Sequence, residues 1–565
     1  MMRTGLAVGL FCLVFAFHAG TLQAFSPHPP RHEAAVASAH PLATEAGMAV
    51  LRAGGNAFDA AVAVTAALAV VQPNGSGLGG GGFYLLHRAR DGQQVMLDAR
   101  ETAPLAAHER MYLEAGEGSS LDGPLAAGIP GIPAALEHLA KRYGRRSLEH
   151  SLAAAIRHAR EGFAVDDGYR KYLKFRRDVV AASPAAAAVF LKGGEAPEEG
   201  DLIRQPDLAD TLETLAAQGG KGFYRGPIAE ALVRGVREAG GIWTKQDLAR
   251  YRVIERRPIV VEYDGYRIVS VAPPSAGGVG LATMFHQLRV LPRTEDQARR
   301  MHLLAETMRR AYRDRARWLG DPDFVPIPVQ TLTDPAYGAS LARDIDPARA
   351  TPSASLGPAL EIKEGFSTTH FSILDAEGNR VAATLSINYP FGSGFMPEGT
   401  GVLLNNEMDD FATRPGQANV YGLVGGSANA VAPGKRMLSS MSPTFVEGPR
   451  GVAILGTPGG SRIITMVLLA ALDYMDGGSA LSMVRLPRFH HQYLPDAIQY
   501  EEGTLDEPLR QRLEAMGHAL RPVPVGFYGN MQVVTWDRET NRVATASDPR
   551  GGGAGAVEAV DASQR

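Results

Sequence analysis

Two periods run through the apolar positions of this chain. Over most of residues 133–320 they recur at helical spacing; beyond about residue 368 they mostly alternate at a spacing of two. Thr44–Arg52 and Ala57–Val71 read as helices separated by Gly54-Gly55-Asn56, with Asn56 as N-cap of the second and Pro73 as its stop. Ala60–Val71 is apolar nearly all round, which predicts a buried helix, and it is too short to span a membrane. Phe83–His87 and Gln94–Asp98 read as paired strands. Leu208–Ala217, Pro227–Ala239 and the charged Ala298–Leu319 read as helices, and Pro258–Glu262 with Tyr266–Val271 as a hairpin. Asp346–Ser367 carries prolines, serines and glycines without apolar period and reads as a flexible surface linker. After it come hairpins at Thr369–Leu374/Arg380–Ser386, Thr444–Glu447/Val452–Leu455 and Met531–Trp536/Arg542–Ser547, with a helix at Ser461–Tyr474. Helices segregated among antiparallel hairpins predict an α+β fold in layers, without a doubly wound parallel sheet.

The 565 residues exceed one ordinary domain of ~100–150 residues, so the chain is multidomain or has one large layered core. A formal net charge of −3 gives no electrostatic footprint for nucleic acid or an anionic membrane surface. Residues 1–24 read as a signal peptide: Arg3, the apolar run Leu6–Phe17, and Thr21-Leu22-Gln23-Ala24 before the cut. The single cysteine, Cys12, would leave with it, so the exported protein would have no disulfide and no thiolate site. A periplasmic or secreted protein without stable membrane insertion is expected.

Several motifs carry little chemistry. Gly75–Gly82 lacks the Lys-Ser/Thr of a phosphate loop and reads as close backbone packing. His490-His491 and Asp409-Asp410 are sequence neighbours that point apart, which suits neither a metal pair nor a glycosidase dyad. No metal or organic cofactor is expected. Ser367-Thr368-Thr369-His370 is different, because it joins the linker to a strand. Cleavage before Thr368 would give it a free α-amine with a pKa of ~7.7–8.0, so one residue would supply both nucleophile and base.

The surrounding motifs give that reading weight. Thr368–Ser372, Thr384–Asn388, Leu403–Phe411, Tyr421–Gly426, Ser439–Pro443 and Thr457–Arg462 resemble the γ-glutamyltranspeptidase family in order and spacing. Leu97–Pro104 and Gly200–Leu208 match in the first half. The resemblance implies an N-terminal nucleophile hydrolase with an αββα four-layer sandwich. It implies a precursor that cuts itself between Ser367 and Thr368 into a large chain, Phe25–Ser367, and a small chain, Thr368–Arg565, which stay together as an intertwined heterodimer. It further implies Thr368 as nucleophile, Ser386 as its hydroxyl partner, and Gly459 and Gly460 as the oxyanion hole. Arg100, Ser439 and Ser440 would hold the α-carboxylate of a γ-glutamyl substrate; Asn388, Glu407 and Asp410 would face its ammonium; Tyr421 would belong to a lid. The implied activity is transfer or hydrolysis of the γ-glutamyl group of glutathione and related amides, with water or an amine as acceptor. An acylase of the same fold, acting on β-lactam side chains or poly-γ-glutamate, is the alternative.

Overall fold

A computed structural model of the chain describes residues 33–116, 118–358, 360–361, 367–412 and 424–560. The signal segment and Tyr421 lie outside the described residues.

Two antiparallel sheets form the centre. The first has seven strands, in the order Ala554–Ala559, Glu33–Ser38, Ser367–Leu374, Arg380–Asn388, Gly81–Arg88, Gln93–Ala99 and Ile254–Arg256. The second has six: Val543–Ser547, Gln532–Asp537, Gly451–Gly456, Thr444–Gly448, Tyr266–Ser270 and Ile259–Tyr263. Helices Pro41–Arg52 and Ala57–Val71 cover the outer face of the first sheet. Helices Gly277–Leu288 and Ile463–Met475 cover the second. The order of layers is α, β, β, α, as the motifs implied.

Local sequence explains the elements that position the site. Asn56 caps Ala57–Val71 by accepting the amides of Phe58 (2.9 Å) and Asp59 (3.1 Å), while Asp59 accepts the Asn56 amide in return at 2.9 Å. Every residue of this helix is buried. The hairpin of Ser367–Leu374 with Arg380–Asn388 is closed by Asp375, whose carboxylate accepts the amides of Glu377 and Asn379 at 3.0 and 2.9 Å.

Along Ser367–Leu374 the faces alternate. Phe371 and Ile373 enter the core that holds the Ala57–Val71 helix. His370 and Ser372 face the second sheet, where Ser372 Oγ donates to the Gln532 carbonyl at 3.1 Å. Thr368 shares that parity, so its side chain stands where the cleft between the sheets opens. Burial lowers the His370 pKa to about 3, which keeps this inter-sheet imidazole neutral.

The linker reading needs correction for Asp346–Ser355. The stretch is irregular, but it is fastened to the body rather than loose. The Asp346 carbonyl contacts His302 Nε2 at 2.8 Å, the Thr351 amide donates to Glu306 at 3.0 Å, and Ser353 is buried between Arg309 and Asp496 at 2.7 Å from each. Prolines removed the apolar period from this segment, but polar side chains of the neighbouring helix hold it.

Candidate active site

The sheet register assembles the site. Thr368 lies opposite Ser386, Ser386 opposite Gly81, and Gly82 opposite Ala99, so Arg100 leaves its strand close to the start of the Thr368 strand. The glycine run permits this closeness. A Cβ on Gly80 would stand 2.2 Å from the Ser386 carbonyl oxygen, and one on Gly81 2.5 Å from that of Ala99. Close packing, as the sequence suggested, is what these glycines do.

The sheet ladder is irregular at the step from Ser367 to Thr368. Thr368 Oγ1 makes a long contact of 3.5 Å to Ser386 Oγ. Ser386 Oγ accepts the Asn388 amide at 2.8 Å and donates to the carbonyl oxygen of Ser367 at 3.2 Å. The Thr368 hydroxyl, the Ser386 hydroxyl and the carbonyl of Ser367 thus form one row. Asn388 holds φ = 75°, unusual for a residue other than glycine, and spends its side-chain N–H on the Asn406 carbonyl at 2.9 Å, which leaves Oδ1 as an acceptor.

One small pocket is lined by Arg100, Thr368, Ser386, Asn388, Glu407, Asp410, Ser439, Ser440 and Gly460, together with Met441 and Ile463. All but one of the catalytic and head-group residues predicted within the described chain therefore meet; Gly459 is next to Gly460. These two glycines take φ of 136° and 58° and start the turn into the Ile463–Met475 helix.

Arg100 is the electrostatic centre. Its Nη1 donates to Glu407 at 2.6 Å and its Nη2 to Asp410 at 2.5 Å. Burial works against the guanidinium charge, but Glu407, Asp410 and Glu101 outweigh it and raise the pKa. Glu101 is wholly buried, and burial, then the Glu407 charge, push its carboxyl well above the usual range against the pull of Arg100. The arginine expected to grip a carboxylate is thus paired with the acids expected to grip an ammonium.

Residues outside the motif reading hold this arrangement. Asp98 accepts the Arg100 amide at 3.0 Å and also receives Arg256 (2.8 Å) and Arg436 (2.9 Å), whose guanidinium further donates to the Arg100 carbonyl at 2.7 Å. Asn405 accepts the Glu407 amide at 2.9 Å and donates to the Gly79 carbonyl at 2.6 Å. Arg315 Nε donates to Ser440 Oγ at 3.1 Å, and Tyr312 donates to the Ser461 carbonyl. No spacing rule reveals such contacts, because they join distant segments.

Among the described residues, one trio, His302, Glu306 and His518, brings metal-type ligand atoms within 4.8 Å of one another. Its atoms are already engaged: the two imidazoles bond each other at 2.8 Å, and Glu306 holds Arg310 (2.5 Å), Arg309 (3.2 Å) and the Thr351 amide. It acts as a clamp on Asp346–Ser355. His490 and His491 are likewise buried and bonded, to Thr465 at 2.9 Å and Asp496 at 3.3 Å, in keeping with the structural role expected of them.

A buried threonine at a strand start, facing a cleft between stacked sheets within an αββα sandwich, defines the class of N-terminal nucleophile hydrolases. Comparison with known proteins narrows it. Residues 43–558 match the model of the family described as gamma-glutamyltranspeptidase. The glutathione hydrolase proenzyme of Pseudomonas sp. (strain A14) is 41% identical over 522 residues, covering 91% of this chain and 90% of that one. The proenzyme of the same name from Escherichia coli (strain K12) is 42% identical over 503 residues, covering 87% and 86%. Among solved structures, cephalosporin acylase from Bacillus halodurans superposes with a TM-score of 0.82 at 28% identity, covering 96% of this chain and 99% of that one. Helicobacter pylori gamma-glutamyltranspeptidase gives 0.55 at 41% identity, covering 57% and 94%. The chain belongs to the gamma-glutamyltranspeptidase family. Among the described residues, no helix is long and apolar enough to cross a membrane.

Proposed function

We propose that this protein is a self-processing γ-glutamyltransferase and hydrolase that acts on glutathione and related γ-glutamyl amides. The observation that carries the reading is the pairing of Arg100 with Glu407 and Asp410 in the pocket shared with Thr368. A zwitterionic amino-acid head can enter that set by exchange: its carboxylate takes Arg100, and its ammonium takes the acids. Each buried charge keeps an opposite partner, which a low-dielectric pocket demands. An acyl group bearing only a carboxylate would leave Glu407 and Asp410 uncompensated. That argues against the acylase reading, despite the close backbone likeness to a cephalosporin acylase.

In the precursor, Thr368 Oγ attacks the Ser367 carbonyl carbon. The C–N bond breaks, the leaving nitrogen takes up the hydroxyl proton to become the free α-amine of Thr368, and a Ser367 ester on Thr368 forms. Ser386, already donating to the Ser367 oxygen, stabilises the developing charge. Water then opens the ester, giving the Ser367 carboxylate and restoring the Thr368 hydroxyl beside its free α-amine. That amine then takes the hydroxyl proton when Thr368 attacks the γ-carbonyl of a substrate. The amide N–H groups of Gly459 and Gly460, at a helix start, suit the oxyanion. The γ-glutamyl ester is released to water or to an amine acceptor. Asn388 Oδ1 joins the acids at the ammonium, Ser439 and Ser440 join Arg100 at the carboxylate, and Tyr421 belongs to the lid. The large and small chains remain a heterodimer, exported after removal of residues 1–24.

Two measurements test this. Glutathione incubated with purified protein, with and without a dipeptide acceptor, should yield glutamate and cysteinylglycine, plus a γ-glutamyl dipeptide when acceptor is present. A denaturing gel should show two bands, the smaller beginning at Thr368. Intact glutathione alongside a single uncut band would refute the reading.

A further inference from the structure

The helix Gln297–Trp318 lies upstream of the Thr368 step, yet two residues on one of its faces reach the second half of the site. Tyr312 donates to the carbonyl of Ser461, directly after Gly459-Gly460. Arg315, 5% exposed, donates through Nε to Ser440 Oγ at 3.1 Å. Ser440 lines the pocket beside Arg100, and Arg315 stands behind it.

We propose that Arg315 is a positioning residue that sets the pocket's preference for an α-carboxylate by acting through Ser440; this rests on the γ-glutamyl reading above. A hydroxyl has one hydrogen and two acceptor lone pairs. With the Arg315 N–H on one lone pair, Ser440 cannot turn its hydrogen toward the guanidinium. The O–H is directed away from that side, and the adjacent positive charge makes it a stronger donor. Ser439 is prepared in parallel by the Met441 amide, which donates to its Oγ at 3.1 Å, but that donor is neutral. Arg315 thus acts on the pocket through the Ser440 hydroxyl, on the side where Ser439 and Ser440 stand beside Arg100.

The test uses the processed enzyme and two hydrolysable probes, γ-glutamyl p-nitroanilide and its α-carboxamide analogue. Wild type should prefer the carboxylate probe strongly in kcat/KM; no preference would sink the γ-glutamyl reading itself. In Arg315→Met, KM for the carboxylate probe should rise about tenfold or more, since a hydrogen bond involving a charged group is being lost. Its kcat should stay within about threefold, the inhibition constant of free L-glutamate should rise in parallel, and the carboxamide probe should hardly change. Arg315→Gln retains an N–H donor and should recover part of the preference. Tyr312→Phe, which loosens the oxyanion turn, should lower kcat for both probes alike and leave the preference intact. If Arg315→Met fails to fold, Arg315→Gln and Arg315→Lys carry the test. Wild-type preference in folded Arg315 variants, or an equal loss on both probes, would overturn the proposal.

Discussion

Replacing Arg100 by alanine removes the cation bonded to both Glu407 and Asp410 and leaves Glu101, Glu407 and Asp410 together in a buried space. Two losses follow. Truncating one member of a buried, hydrogen-bonded charge pair costs ~2–5 kcal/mol in binding. For the substrate carboxylate that is a fall in kcat/KM of roughly 30- to 4,000-fold. The second loss is in folding, where an orphaned buried charge costs ~3–5 kcal/mol. Protonation sets a ceiling on it. Neutralising a carboxylate of pKa ~4 at pH 7 costs about 4 kcal/mol at ~1.4 kcal/mol per pH unit. Folded-state carboxyl pKa values in the variant would be raised, so the stability tied to their protons is present at low pH and lost as pH rises. Its melting temperature should therefore recover on acidification from pH 7.5 to 5.5, relative to wild type. The assay is hydrolysis of γ-glutamyl p-nitroanilide, beside thermal melts and a denaturing gel. Arg100→Ala/Asp410→Asn removes one of the acids left facing each other and should regain stability without activity. Should the double variant regain both, Arg100 would be a structural ion and the head-group assignment would fall. Wild-type kcat/KM in a processed, folded Arg100→Ala would refute it outright.

Thr368→Ala should remain one chain and be inactive, as read on a gel and with the anilide. Ser386→Ala withdraws the donor on the Ser367 carbonyl and should slow self-cleavage by ~10²–10³, the usual cost of one oxyanion donor; cleavage at the wild-type rate would remove Ser386 from that step. Burial lowers the pKa of His370 to about 3, His491 to about 4 and His518 to about 3. The unfolded chain binds more protons below ~6.5, so stability is lost as pH falls, by ~2 kcal/mol for each histidine from pH 7 to 5. Urea unfolding at both pH values measures it, and His370→Gln, if folded, should flatten the dependence.

The parts of the fold legible in the sequence were those with a local cause. The Asn56 cap, the turn at Asp375 and the two sheets' hairpins are each written in a few adjacent residues. Glu33–Ser38 and Ala554–Ala559 were not predicted as strands, for their alanines and glycine have low β propensity. They pair with each other in register, Ala35 opposite Val557, and it is the pairing that makes them strands. The helix Gln297–Trp318 showed the opposite problem. Its charge density suggests a solvated surface, yet Arg309, Arg310, Asp314 and Arg315 are all at most 5% exposed. They are buried because partners from distant segments meet them, which no periodicity encodes. The motifs named the residues that meet in the pocket; they did not show that Arg100 is bonded to both acids.

The placement of the proposed cut explains how a chain without disulfides could survive it. In the first sheet, the strand Ser367–Leu374, all but its first residue downstream of the proposed cut, and Arg380–Asn388 lie between Glu33–Ser38 and Gly81–Arg88 from upstream of it. In the second, Thr444–Gly448 pairs directly with Tyr266–Ser270 across the same division. Arg100 with Glu407 and Asp410, Arg436 with Asp98, Arg309 with Asp496 and Arg315 with Ser440 also cross it. Breaking one peptide bond at the start of a central strand removes none of these contacts, and the two chains cannot part without opening both sheets. Cleavage would then be felt only at the cleft mouth, where it frees the amine of Thr368 and releases Ser367 from the Ser386 hydroxyl. The same hydroxyl pair would thus serve the precursor first and the enzyme afterwards, within a frame that does not change.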